Sequence, residues 1–183
     1  MEVRNPIIGA DMPDPDLLRV GDTYYMVSTT MFYTPGAPIL RSKDLCHWEI
    51  VSYVFETLED NGIYRLENGR NAYGKGQWAT SLTRHNGRFY ACFVSHDCGK
   101  TYIFSTDDIE KSGWDRAEIG EVFHDMSFLF WEGIPYWCMG TEKSASWSWS
   151  RIWVASGKAE CAGCLLKQRR KACGCAARAA GRL

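Results

Sequence analysis

Short apolar runs alternate with turn signals along most of the chain. Leu17-Leu18-Arg19-Val20 leads to Gly21-Asp22 and then to Thr23-Tyr24-Tyr25-Met26-Val27-Ser28. β-branched and aromatic residues flanking a Gly-Asp pair predict a hairpin. A third strand is expected at Pro38-Ile39-Leu40-Arg41-Ser42 and a fourth, after Trp48, at Glu49-Ile50-Val51-Ser52-Tyr53-Val54. The order then recurs. Thr80-Ser81-Leu82-Thr83 is followed by His85-Asn86-Gly87, by Arg88-Phe89-Tyr90-Ala91-Cys92-Phe93-Val94-Ser95 and by Thr101-Tyr102-Ile103-Phe104-Ser105. Ser42 and Asp44 recur 63 residues later as Ser105 and Asp107, and Trp48 recurs 66 residues later as Trp114. A third copy opens at Ser127-Phe128-Leu129-Phe130 and turns at Glu132-Gly133. Repeated units of four antiparallel strands mark β-propeller blades. A β-sandwich is the alternative, and the shared Ser-x-Asp and Trp positions weigh against it.

Composition changes this picture at one place. The 183 residues are 45% apolar and 23% charged, which excludes a disordered or collagen-like chain. The formal net charge of -1 argues against nucleic-acid or polybasic membrane partners. No apolar run approaches the roughly 18 residues of a membrane span. The opening Met1-Glu2-Val3-Arg4-Asn5-Pro6 lacks a signal-peptide stretch, which favours a cytoplasmic chain. Yet residues 1–153 carry a net -7 and residues 154–183 a net +6. The tail is rich in Ala, lacks aromatic residues and holds Cys161, Cys164, Cys173 and Cys175. That spacing resembles a zinc cluster only loosely, because the pairs are irregular. The body cysteines (Cys46, Cys92, Cys98 and Cys138) read as reduced thiols rather than disulfides. We therefore divide the chain into a body, 1–143, and an aberrant tail, 144–183, expected to be irregular, helical or disordered. Ser144-Ala145-Ser146-Trp147-Ser148-Trp149-Ser150 has an odd composition. One permitted codon choice for 144–153, read one base back, encodes Ile-Arg-Leu-Val-Glu-Leu-Glu-Pro-Asp-Leu, an ordinary strand and turn. A one-base frameshift near Lys143 accounts for this, and the nucleotide sequence tests it.

Two acidic sites each precede the first strand of a unit: Asp14 in Pro13-Asp14-Pro15-Asp16, and Asp125 in His124-Asp125-Met126-Ser127. In a propeller the innermost strand of each blade starts near the axis, so acids from different blades can share one pocket. A glycosidase needs such a pair of carboxyl groups flanking one bond. The competing readings are a turn residue between prolines for Asp14 and an Asx turn or cap for Asp125.

The motifs Asn5-Pro6-Ile7-Ile8, Pro13-Asp14-Pro15-Asp16-Leu17-Leu18 with Gly21-Asp22-Thr23-Tyr24-Tyr25, Ser42-Lys43-Asp44-Leu45 with Trp48, Gly76-Gln77-Trp78-Ala79 and His124-Asp125-Met126-Ser127 resemble glycoside hydrolase family 43, in order, over about residues 5 to 143. The resemblance implies an all-β, five-bladed β-propeller, here truncated to about two and a half blades. It also implies an inverting glycosidase of the xylosidase or arabinofuranosidase type, with an oligosaccharide or polysaccharide as partner. Asp14 matches the family's general base, and Asp125 matches the aspartate that orients the general acid and raises its pKa. The acid itself, a Glu usually followed by Gly in the next blade, has no counterpart. Glu132-Gly133 lies only seven residues past Asp125 and reads as a turn, and Glu160 lies in the tail. The chain alone is therefore expected to be weak or inactive, and a non-catalytic carbohydrate-binding propeller is the alternative. Trp78 matches a tryptophan lining the sugar pocket, and Phe32 or Tyr33 is a candidate second wall. Trp48 and Trp114 read as blade packing, and His47 and His85 as surface and turn residues. No metal ligands or cofactor are assigned, calcium being a candidate only in the complete family fold. Gly74-Lys75-Gly76 lacks the spacing of a phosphate loop.

Overall fold

In the computed structural model, residues 3–141, 144–155 and 158–169 are described. The first unit contains β1 (Asp16–Val20), β2 (Thr23–Val27), β3 (Gly36–Ser42) and β4 (Glu49–Phe55), paired in that order as one antiparallel sheet. The second contains β5 (Ser81–His85), β6 (Arg88–Ser95), β7 (Lys100–Thr106) and β8 (Asp115–Ile119), with the same order. The third contains β9 (Ser127–Trp131), β10 (Ile134–Thr141), β11 (Ser144–Ala155) and β12 (Lys158–Arg169). Two-residue turns close the inner hairpins. Asn86 and Gly87 both take positive φ, as do Glu132 and Gly133, which matches the twist of the flanking strands. Glu132-Gly133 is thus the β9–β10 turn that the repeat predicts.

The expectation of an irregular, helical or disordered tail does not hold across β11 and β12. β11 pairs with β10 and β12 with β11, and Lys158 bridges Glu118 of β8. The physical reason is twofold. The outer edge of β10 offers unpaired N–H and C=O groups. The Ser/Trp alternation from Ser146 to Ser150 also has the two-residue period of a strand. Residues 170–183, with Cys173 and Cys175 of the loose cysteine cluster, lie outside the described residues.

The first strands of the three units lie side by side, β1 against β5 and β5 against β9. They are not joined by a β-ladder. Instead one side-chain hydrogen bond joins each pair of inner strands. The Leu82 N–H donates to Asp16 Oδ2 at 2.7 Å, and the Phe128 N–H donates to Ser81 Oγ at 3.0 Å. Both acceptors sit at the first residue of an inner strand, so the strand starts are held at one level. This is radial blade order, not a sandwich.

Each seam has its own core. Between the first and second units Val27, Ile39, Val54, Phe55, Phe93 and Phe104 are buried together. Phe93 lies 5.5 Å from Phe55, 5.4 Å from Tyr102 and 5.7 Å from Phe104, ring centre to ring centre. Such pairs add about 0.5–1.5 kcal/mol each beyond area burial. Trp114 is buried in this core, as the packing reading requires, whereas Trp48 is only half-buried. The second seam packs Val94, Ile103, Met126, Phe128 and Trp137. His85 is more than a turn residue: it ends β5 and stacks on Phe130 of β9 at 4.2 Å.

Candidate active site

The two acids are presented in the same way. Asp14 and Asp125 each lie two residues before an inner strand, and each takes a positive φ, 48° and 47°. Few residues other than Gly adopt this conformation, and Asp is among the more tolerant. It turns the chain sharply before the strand begins and leaves both carboxyl groups exposed at the strand-start end. The segment before Asp14 is fixed from β2: Pro13 O accepts from Ser28 Oγ at 2.7 Å and from the Thr29 N–H at 3.1 Å.

Between the acids, in the matching stretch before β5, lie Gln77 and Trp78. Gln77 is wholly buried and its amide is fully engaged. Its Oε1 accepts from the Thr30 N–H at 2.7 Å and from Thr30 Oγ1 at 3.1 Å. Its Nε2 donates to Trp78 O at 2.9 Å, Thr80 Oγ1 at 2.7 Å and Ser28 O at 3.4 Å. Gln77 thus ties the strand that holds Pro13 to the segment that carries Trp78. Met31 bridges Gln77 alongside it. The backbones approach closely enough that a Cβ on Gly76, φ +89°, would stand 2.2 Å from Met31 O.

Trp78 is half-buried, and its backbone N–H donates to Val94 O at 3.1 Å, while its indole N–H is buried without a hydrogen-bond partner among the described residues. The indole meets His96 edge-on at 4.6 Å and His124 at 5.8 Å. His96 Nε2 is 3.2 Å from His124 Nδ1, and His124 Nε2 is 3.4 Å from Asp125 Oδ2. Trp78, His96, His124 and Asp125 are therefore one contiguous group. Phe32 belongs to a neighbouring aromatic cluster. Its ring stacks on Tyr33 at 4.4 Å and packs on Tyr73 at 5.1 Å. Together with Ile63, Tyr64, Leu66 and Tyr73 it lines a cavity of about 310 Å³ beside the site.

The long connection from β4 to β5 is fastened by Asp97. Its Oδ1 accepts from the Gly76 N–H at 2.9 Å and Ser95 Oγ at 2.7 Å, and its Oδ2 accepts from Tyr64 Oη at 2.9 Å. Burial alone would raise this carboxyl. The donors Ser95, Gly76 and Tyr64 outweigh it and hold the group below its ordinary 3.8. Burial and the hydrogen bond to Asp97 together push the Tyr64 hydroxyl far up, so it stays a donor.

Sequence reasoning singled out Asp14, Asp125, Trp78 and Phe32 and passed over Gln77, His96 and Asp97. Gln77 stood inside a quoted motif, and its neighbour Trp78 drew the attention. His96 and Asp97 had no local signal, because their roles depend on the fold bringing the β6–β7 loop to the seams. Among the described residues no group of three or more His, Cys, Asp and Glu is arranged to hold a metal ion. No helix there is long and apolar enough to cross a membrane.

Known proteins resemble this chain in sequence and fold. A β-xylosidase of Formosa agariphila is 36% identical over 132 residues, 70% of this chain and 22% of that protein. A non-reducing end α-L-arabinofuranosidase of Bacteroides ovatus is 36% identical over 136 residues, 73% of this chain and 25% of that protein. This chain thus matches only 22–25% of the length of these relatives. The bifunctional GH43-CE protein of Bacteroides eggerthii superposes with a TM-score of 0.77 at 39% identity, covering 87% of this chain and 21% of that one. The model of the glycosyl hydrolases family 43 matches residues 3–131, a span that takes in both acids, the Gln77–Trp78 segment and all three inner strands. By that match, and by the blades that carry it, the chain belongs to glycosyl hydrolases family 43.

Proposed function

We propose that this chain carries the base-and-modulator half of a glycosidase site that removes terminal pentoses, xylose or arabinofuranose, from plant polysaccharides with inversion. One observation carries the reading. Asp14 and Asp125 occupy equivalent positions before inner strands whose starts are bonded seam to seam, and Trp78 precedes the middle one of those strands and packs against His124. The names of the relatives, a xylosidase and an arabinofuranosidase, supply the sugar class.

In this mechanism the ionised Asp14 deprotonates the water that attacks the anomeric carbon. Asp125 orients the general acid, and its negative charge disfavours loss of the acid's proton. Inversion requires base and acid about 6.5–9.5 Å apart, so that water fits between Asp14 and the bond. The Trp78 indole offers an apolar face to the sugar ring, and Phe32 with Tyr33 forms a second wall. The acid is not Glu132, which is spent in the β9–β10 turn.

That gap sets the experiment. A dinitrophenyl pentoside has a leaving group that departs without protonation, so it reports on the base alone. The full chain is expected to hydrolyse dinitrophenyl xyloside or arabinofuranoside far faster than the nitrophenyl analogue with its poorer leaving group. Asp14→Ala should cost on the order of 10²–10⁴-fold on the activated substrate, the range for removing a general base. Equal rates for Asp14→Ala and the parent would reject Asp14 as base. The alternative is a sugar-binding propeller without catalysis. Saturable pentose binding with no turnover of the activated substrate would establish it.

A further inference from the structure

The imidazoles of His96 and His124 come from different blades. His96 follows β6, and His124 stands at the mouth of β9 next to Asp125. Their facing nitrogens, His96 Nε2 and His124 Nδ1, are 3.2 Å apart, a hydrogen-bonded distance that needs one proton between them. The other ring nitrogen of His124, Nε2, faces Asp125 Oδ2 at 3.4 Å. An ionised carboxylate only accepts, so a lone pair on His124 Nε2 would be repelled there. His124 therefore carries its proton on Nε2. A neutral imidazole protonated at one nitrogen accepts at the other, so Nδ1 is the acceptor and His96 Nε2 the donor. Each link fixes the next, and the direction runs from His96 through His124 to Asp125. Trp78 lies edge-on to both rings and restricts their rotation.

Asp125 needs such a restraint. Its side chain is 63% exposed and its backbone sits in a turn at positive φ, so packing alone does not hold the carboxylate in one rotamer. A group acting on a neighbouring acid must be held within about 0.5 Å of its working position. We propose that His96 and His124 are positioning residues: the His96–His124 hydrogen bond across the blade seam holds the His124 Nε2 edge toward Asp125 Oδ2, an ion-pair contact of 3.4 Å that sets the orientation of the Asp125 carboxylate. This rests on the reading of Asp125 as the modulator of the acid.

The test is nitrogen and carbon magnetic resonance on the isotopically labelled full chain, which has only four histidines. A scalar coupling across the hydrogen bond between His96 Nε2 and His124 Nδ1 is expected, and His96→Phe should abolish it. Two substitutions of His124 divide its roles. His124→Gln places an amide donor where Nε2 stood, and His124→Asn keeps only an acceptor where Nδ1 stood. The Asp125 carboxyl carbon resonance should stay near its parent position in His124→Gln and move in His124→Asn. An absent coupling, or an Asp125 resonance identical in parent, Gln and Asn forms, overturns the positioning role. Turnover that depends on Asp14 in a chain without the coupling removes the positioning role and leaves the glycosidase reading standing. The coupling in a chain that turns over no pentoside removes the glycosidase reading and leaves the histidine pair.

Discussion

Replacing Gln77 by leucine tests whether one buried amide holds the site together. The two side chains are close in volume, so the change is mainly one of polarity. Five hydrogen bonds disappear, but the groups left behind do not suffer equally. Thr80 Oγ1 can still donate to Trp78 O, at 3.3 Å, and Thr30 Oγ1 still accepts from the Ala37 N–H at 3.2 Å. The Ser28 carbonyl loses only a long contact of 3.4 Å. The Thr30 N–H loses its partner at 2.7 Å and is left without one in the buried joint beside the Met31–Gln77 bridge. One orphaned buried donor costs about 1–3 kcal/mol, and two further neutral bonds lost cost about 1 kcal/mol each. Burying leucine in place of an amide returns about 1–2 kcal/mol. The balance is a loss of about 1–4 kcal/mol, whose centre corresponds to roughly 5–10 °C in Tm for a chain of this size. Urea unfolding followed by tryptophan emission should show a lower midpoint with the same slope. Gln77→Glu sharpens the test, since at neutral pH a carboxylate would face the Trp78 and Ser28 carbonyls that now accept from the amide. It should be worse than leucine at pH 7 and recover toward acid. A leucine variant within about 0.5 kcal/mol of the parent, the range of an ordinary surface change, would refute the idea that Gln77 is the crosspiece.

Gly76→Ala should be costly for its size, at least about 2 kcal/mol in urea unfolding, because it combines a positive φ with a Cβ 2.2 Å from Met31 O; a midpoint equal to the parent's would show that the loop yields freely. Glu59 should make stability pH-dependent. Burial raises its carboxyl, but Tyr102, Lys100 and Arg116, at 2.7, 3.1 and 2.8 Å, outweigh it and hold it below the ordinary 4.5. A depressed folded value means that the contribution is complete above 4.5 and fades as pH falls through the folded value. The Tm gap between the parent and Glu59→Gln should therefore shrink from pH 7 toward pH 3, and a constant gap would contradict the network. Cys92, wholly buried and with its thiol pushed up by burial, should resist alkylation until the chain unfolds, while the half-buried Cys46 labels first. Peptide mass spectrometry after a timed iodoacetamide pulse separates the two, and early labelling of Cys92 would contradict its burial.

The blades were legible because their signals are local. A Gly-Asp, Asn-Gly or Glu-Gly pair between alternating runs dictates a hairpin, and β1–β2, β5–β6 and β9–β10 all close on such pairs. The positions of Asp14 and Asp125 were legible for a related reason: each stands two residues before a run whose pattern marks it as an inner strand. The tail beyond Lys143 was judged by its charge and alanine content, which say little about pairing. Strand period and a waiting edge on β10 decided its backbone instead. Gln77 and His96 escaped because their partners lie 47 and 28 residues away and follow no period.

The division has a physical origin. A blade's four strands are held by backbone ladders, which tolerate many side chains, so their pattern is all that the sequence must supply. The seams between inner strands have no ladder. They depend on single side chains, Asp16 to the Leu82 N–H and Ser81 to the Phe128 N–H, and on the Gln77 amide behind them. Asp14 is two residues from Asp16 and Asp125 three residues from Phe128, the residues that make those seam bonds. Their separation is therefore set by the seam bonds rather than by blade packing. Asp16→Ala leaves the β1 ladder intact and frees the Leu82 N–H, so it should weaken turnover of an activated pentoside more than its effect on Tm would suggest. A substitution in the Phe93 core should do the reverse.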